Sequence, residues 1–204
     1  VILLSGFEPF GADSTNPSRD AARLAAHLLR AEGLDAQAVE LPVVFSEAGR
    51  MLAAEVSRLA PDVVIATGLA AGRQAMSIER VAVNLIDARI PDNAGAQPLD
   101  EPVVAGADNA YFSTLPVKAA VLAMREAGIP VEASMSAGTY VCNALFYQLQ
   151  HALAGASVAS GFVHVPPVAA MEVETMARGL ALIARSALER RGHADERLST
   201  GSEE

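Results

Sequence analysis

An α/β fold, with a mainly parallel sheet covered by helices on both faces, follows from three features of this 204-residue sequence. Short apolar runs that read as buried strands alternate with longer segments whose apolar residues recur at helical spacing. Most connections between successive strands are long enough to hold the crossover helix that parallel strands require. The chain is also 51% hydrophobic, enough to give two helical layers and a sheet a shared core. Only 4% of it is aromatic and Trp is absent, so Ala, Val and Leu must build most of that core.

The elements follow in order. VILLS (1–5) is an apolar run ended by Gly6 and reads as the first strand. Asn16 then stands as N-cap and Pro17 as first helical residue, with Ala21, Leu24, Ala25, Leu28 and Leu29 at helical spacing and Gly33 as the stop. AQAVELPVV reads as a strand, SEAGRMLAAEVSRLAP as a helix and DVVIATG (62–68) as a buried strand. SIERVAVNLID (77–87) reads as one further strand with β-branched residues, TLPVKAAVLAMREAG as a helix and PVEASMS (130–136) as a strand. TYVCNALFYQLQHALA, SGFVHV and MEVETMARGLALIARSALERR complete the pattern as helix, strand and closing helix. A single catalytic-sized domain is expected over 1–190, and the polar segment 191–204 is expected to fray.

One connection breaks the alternation. GLAAGRQAM, between strands 62–68 and 77–87, is too short for a crossover, which needs about a dozen residues, so strand 77–87 should run antiparallel.

Composition excludes several function classes. The formal net charge is −9 and no cluster of Lys and Arg appears, which argues against a nucleic-acid partner. No apolar stretch approaches the roughly 18–20 residues needed to cross a bilayer, so no membrane partner is expected. One Cys cannot form an internal disulfide. VILLSGFEPFG lacks a basic n-region and a small-residue cleavage site; it reads as a strand rather than a signal peptide, and the start at Val1 as a trimmed end. A cytoplasmic location is the expectation.

In open α/β sheets ligands bind beyond the carboxyl ends of the strands. GFEPFG, GLAAG, the turn carrying Cys142 after strand 130–136, and His164 at the end of SGFVHV should meet on that rim. If strand 77–87 is reversed, its beginning, Glu79, lies there too. Each of these side chains has a plain reading beside a chemical one. A lone Cys is commonly a buried inert thiol, yet at the start of a helix the amide dipoles favour its thiolate. SAG just ahead of it offers backbone N–H groups for an oxyanion. His164 could be a hydrogen-bonded core residue or the base for that thiol; His27 and His151 sit within helices and His193 in the tail. Glu79, sharing a strand face with Val81, Val83 and Leu85, needs a partner: an arginine such as Arg73, Arg80 or Arg89, or the imidazole itself. Cys and His are too few and badly spaced for a metal site.

Taken together, GFEPFG…NPS, GLAAGR…SIERVAVNLIDARIPDN, YFSTLP, SAGTYVCN and GFVHVP resemble the pyroglutamyl peptidase I (pyrrolidone-carboxylate peptidase) family of cysteine peptidases, over most of residues 1–165. The resemblance implies a three-layer α/β/α sandwich of phosphorylase/hydrolase-like type, a catalytic triad of Cys142, His164 and Glu79, and no metal or cofactor. It implies as partners peptides with an N-terminal pyroglutamate, and self-association as a tetramer or dimer. Phe7 and Phe10 would wall the pyroglutamyl ring, Asn16 would shape their loop, Arg89 would lie near the catalytic centre, and Leu69 and Val141 would line the pocket. A neutral lactam suits such walls, since it needs flat apolar surfaces and a few backbone hydrogen bonds rather than an acid for a free ammonium. The segment between HVPP and MEVET is shorter than the family pattern. Two other functions stay open at this point: a thiol amidase acting on another small amide, and a non-catalytic ligand-binding protein with an inert thiol.

Overall fold

Ile2–Phe7 is buried along its whole length, as a strand covered on both faces must be, and forms β1 of the computed structural model. Residues 1–11 and 14–201 are described. The chain continues through α1 (Pro17–Ala31), β2 (Ala36–Leu41), α2 (Ala48–Leu59), β3 (Val63–Leu69), β4 (Met76–Glu79) and β5 (Val81–Val83). It ends through β6 (Ala110–Phe112), α3 (Val117–Glu126), β7 (Val131–Ser134), α4 (Val141–Ala152), β8 (Ala159–Val165) and α5 (Val173–Glu189).

Six strands make the main sheet, in the order β2-β1-β3-β8-β4-β7. Side chains alternate across it. Ile2, Leu4, Val63, Ile65, Val163 and Val165 point to one face with Ala25, Leu29, Val121, Met176 and Leu180 from α1, α3 and α5. Leu3, Val64, Ala66 and Phe162 point to the other with Leu52, Ala144, Leu145 and Phe146 from α2 and α4. This is an α/β/α arrangement. β1 and β2, β1 and β3, and β3 and β8 pair in parallel, as the long helical crossovers predict.

Local signals act where they stand in the sequence. Asn16 caps α1, its Oδ1 accepting from Ser18 N at 3.1 Å, and Pro17 opens the helix. Gly6 lets α1 lie close on β1: a Cβ there would be 2.4 Å from the Ser18 carbonyl oxygen.

Four expectations need correction. The segment 77–87 is not one strand. β4 pairs antiparallel with β8, as the short connection required, but the chain leaves the sheet at Arg80. Arg80 N donates to Ser134 O at 2.7 Å and Arg80 O accepts from Ser113 N at 2.9 Å; beyond it, β5 pairs with β6 in a separate two-stranded sheet. Glu79 therefore shares its sheet face with Ser77, not with Val81, Val83 and Leu85, and it ends its strand rather than beginning it. β7 is also reversed: it runs parallel to β4, hence against β8, so the loop 135–140, not strand direction, returns the chain to the rim. Finally, the segment from 191 is docked rather than frayed. Asp195 accepts from Lys118 N (2.9 Å) and Ala119 N (3.0 Å), capping α3, whose own N-cap Pro116 has no side chain to do so. Arg191 pairs with Asp62, and Leu198 packs on the core. Residues 202–204 of that segment lie outside the described residues.

Candidate active site

Gly68, penultimate in β3, stands in register with His164, penultimate in β8. The missing side chain makes room for a sulfur: a Cβ on Gly68 would lie 2.8 Å from Cys142 Sγ and 2.9 Å from the Phe162 ring. Cys142 thus sits over the strand pair that carries His164. It is the second residue of α4, in the turn whose N–H groups have no partners within the helix.

His164 is 5% exposed, and its Nδ1 lies 2.7 Å from Glu79 Oε1. A carboxylate only accepts, so Nδ1 carries the proton and Nε2 is the nitrogen free to act as base. Ser77 is the register partner of His164, which puts Glu79 diagonal to it on the same face, two residues in from the rim. Phe162 packs against the imidazole at 4.9 Å between ring centroids.

Glu79 is fully buried, so it must be compensated. Arg73, in the connection between β3 and β4, donates from Nη1 to the same Oε1 at 2.8 Å. The two readings of Glu79 that the sequence set against each other, arginine partner and histidine partner, are thus both realised, on one oxygen.

Burial pushes the Cys142 thiol from 9.0 up to about 12; the Glu79 charge adds to this, while the residue's own backbone N–H and Arg73 oppose it. The sulfur is therefore protonated at neutral pH and needs a base. The described hydrogen bonds include none between Sγ and His164; such contacts often tighten only around bound substrate.

Beside Cys142 opens a cavity of about 360 Å³. Phe7, Phe10, Asn16, Leu69, Arg89 and Val141 all line it together with Cys142, whereas Glu79 and His164 do not. Asn16 works through the loop as well: its Nδ2 donates to Glu8 O at 2.9 Å while its Oδ1 caps α1, so GFEPFG is tied to the helix start. Arg89 is exposed at the mouth. Among the described residues no group of three or more His, Cys, Asp or Glu is arranged to hold a metal.

Two contributors were not singled out by sequence. Tyr140, the N-cap of α4, packs edge-on against Phe10 (5.6 Å) and Phe45 (5.2 Å) and donates to Pro91 O, making an aromatic wall. Asn143 is fully buried; it accepts from Val83 N and donates to Val83 O and Leu85 O, clamping the start of α4 to β5. Its signal was present: an amide immediately after Cys142, within the apolar run VCNALF, has no reason to be there unless bonded.

The family model for pyroglutamyl peptidase matches residues 1–188. The chain belongs to that family. It is 49% identical over 189 residues to a pyrrolidone-carboxylate peptidase of Pseudomonas fluorescens, covering 88% of this chain and 89% of the relative. A Streptomyces coelicolor pyrrolidone-carboxylate peptidase is 44% identical over 98% of both chains. Among solved structures, pyroglutamyl peptidase I of Bacillus amyloliquefaciens superposes with a TM-score of 0.88 at 32% identity, over 96% of this chain and 98% of that one. The pyrrolidone carboxyl peptidase of Thermococcus litoralis gives 0.88 at 34%, over 97% and 98%. The α/β fold is thus that of the pyroglutamyl peptidases, mixed sheet included.

Proposed function

We propose that this pyroglutamyl peptidase family member removes N-terminal pyroglutamate from peptides by acyl transfer to Cys142, with His164 as base and Glu79 as its orienting carboxylate. The observation that carries the reading is the buried 2.7 Å contact between His164 Nδ1 and Glu79 Oε1, in register with Gly68, whose missing side chain leaves room for the sulfur of a cysteine that lines a mainly apolar cavity. Nε2 takes the thiol proton as sulfur attacks the pyroglutamyl carbonyl carbon. The negative oxygen that forms is met by the free N–H groups at the start of α4, with Arg89 near the mouth. Nε2–H then protonates the departing amine and the C–N bond breaks, leaving a thioester. Water attacks the thioester carbon, giving its proton to Nε2, and the sulfur leaves; the ring nitrogen returns a proton to it as pyroglutamate is released. Glu79 accepts from Nδ1 throughout and stabilises the imidazolium that each step creates.

Phe7 and Phe10 supply flat walls for the lactam, Leu69 and Val141 the floor, and Asn16 the loop geometry. Self-association, as a tetramer or dimer, belongs to the same reading: Leu99, Phe112, Met135 and Val168 are each more than half exposed. Among the described residues no helix is long and apolar enough to cross a membrane, and a mechanism that depends on a reduced thiol fits a cytoplasmic setting.

The test is turnover of a pyroglutamyl anilide beside prolyl and glutaminyl anilides. Only the first should be cleaved, and Cys142→Ala should abolish that cleavage while circular dichroism shows an intact fold. Cleavage retained without the sulfur would end the reading.

A further inference from the structure

The geometry points to Arg73 as a positioning residue that keeps Glu79 paired and aimed at His164, and that ties this pair to the segment leading into the nucleophile helix. The inference rests on the catalytic reading above and adds to it a residue outside the triad.

The arginine spans three parts of the site. Nη1 donates to Glu79 Oε1 at 2.8 Å, and Nη2 donates to Ser134 Oγ at 3.1 Å and Ser136 O at 3.0 Å. Ser134 ends β7, and Ser136 opens the SAGTYVC stretch that delivers Cys142. One planar guanidinium therefore fixes the carboxylate and the approach to the sulfur together, which its rigid fork of donors suits.

The carboxylate depends on it. Glu79 Oε2 is buried and has no hydrogen-bond partner among the described residues, so the hydrogen bonding of this carboxylate runs through Oε1. Oε1 is shared between Arg73 and His164. The charged or titratable groups around the pair among the described residues are Arg73 from the β3–β4 connection, Glu132 from β7, which accepts from Ser77 beside His164, and Cys142 from α4, the last protonated at neutral pH. Arg73 is then the cation that compensates Glu79 while the imidazole is neutral, the state in which His164 can accept the thiol proton. With Arg73 removed, the Glu79–His164 pair must find its compensation in a proton. Whichever of the two holds it, the pair binds that proton more tightly, and the base is occupied at a pH where it should be free. Arg73 does not line the cavity, so substrate binding should be spared.

The test uses kcat, KM and the pH profile of kcat/KM on a pyroglutamyl anilide for wild type, Arg73→Met, Arg73→Lys, Glu79→Gln and the Arg73→Met/Glu79→Gln double variant. Arg73→Met should lower kcat by about 100-fold, the low end of what a positioned acid–base group contributes, with KM within about 2-fold. The acidic limb of its profile should move to higher pH, and Arg73→Lys, which keeps the charge, should hold that limb near the wild-type position. In the Glu79→Gln background the Arg73 substitution should cost little, because the carboxylate through which it acts is gone. That double variant also buries no unpaired charge, so it keeps the comparison available if Arg73→Met alone does not fold. The proposal is overturned if Arg73→Met keeps wild-type kcat, if Met and Lys lower kcat equally with an unmoved acidic limb, or if the Arg73 effect persists in full in the Glu79→Gln background. A wild type that does not cleave the anilide at all would instead count against the catalytic reading itself.

Discussion

The two halves of the sheet are held together by different physics. In the strands β1, β3 and β8, Leu3, Leu4, Val64, Ile65 and Val163 are at most 1% exposed, and burial of apolar surface is the dominant force. Beyond β8 the short strands β4 and β7 carry Ser77, Glu79, Glu132 and Ser134, joined by side-chain bonds: Ser77 Oγ to Glu132 at 2.8 Å, and Arg73 to Glu79 and Ser134. Cys142 and His164 rest over the first half, where packing of apolar surface does not itself depend on pH. Glu79, which accepts from the imidazole, comes from the second, where each bond is directional and loss of a partner leaves Ser77 or Glu79 buried and unpaired. The seam between halves, where Ser77 faces His164, is where the proposed mechanism puts the chemistry. Stability and activity should therefore separate across it.

Substitutions can break or sharpen that contrast, and the largest effect belongs at the seam. His164→Ala should lower kcat by on the order of 10⁴-fold or more, read by anilide turnover, while thermal unfolding changes little by comparison. Gly68→Ala comes next. Its Cβ would meet Cys142 Sγ at 2.8 Å and Phe162 at 2.9 Å, so the sulfur must be displaced. Turnover should fall by about 100-fold through misplacement, with a stability loss of about 1–3 kcal/mol by denaturant unfolding. In the apolar half, Ile65→Ala should cost about 2–5 kcal/mol of stability yet leave kcat within a few-fold wherever the variant is folded. The smallest effect should come from Asp195→Ala, which removes the cap on α3 far from the site: about 1 kcal/mol, and no change in kinetics. A large kinetic effect from Ile65→Ala would erase the distinction between the halves.

The apolar half was also the half that could be read from sequence. Buried parallel strands and amphipathic helices write their periods into a continuous stretch of chain, and α1 even carries its start in Asn16 and Pro17. The seam was legible only in its members. Val81, Val83 and Leu85 prolong the alternation past Glu79, so nothing local marks the departure at Arg80. The partners that turn the chain there, Ser113 and Ser134, are remote in sequence. The reversal of β7 was hidden for the same reason, since it depends on pairing with β4. The short β3–β4 connection does reveal that β4 is reversed, and β4 is the strand that sets Glu79 against His164, but the loop 135–140 that returns the chain toward Cys142 carries no such mark. Arg73 stood in the sequence as a competitor for Glu79, and one-dimensional reasoning cannot see that a single carboxylate oxygen serves two donors. The polar segment after residue 191 misled through composition: Asp195 is a cap for a helix that begins at Val117.

The central claim is that His164 takes the proton of Cys142. The rate of iodoacetamide alkylation of Cys142 against pH tests this without substrate. The thiol's own surroundings hold it near 12, above its usual 9.0, so without a base it should stay unreactive at neutral pH and gain reactivity only as pH climbs toward about 12. Wild type should react readily at pH 7, and His164→Ala should lose that reaction and recover it only in strong alkali. Identical profiles for the two proteins would contradict the account.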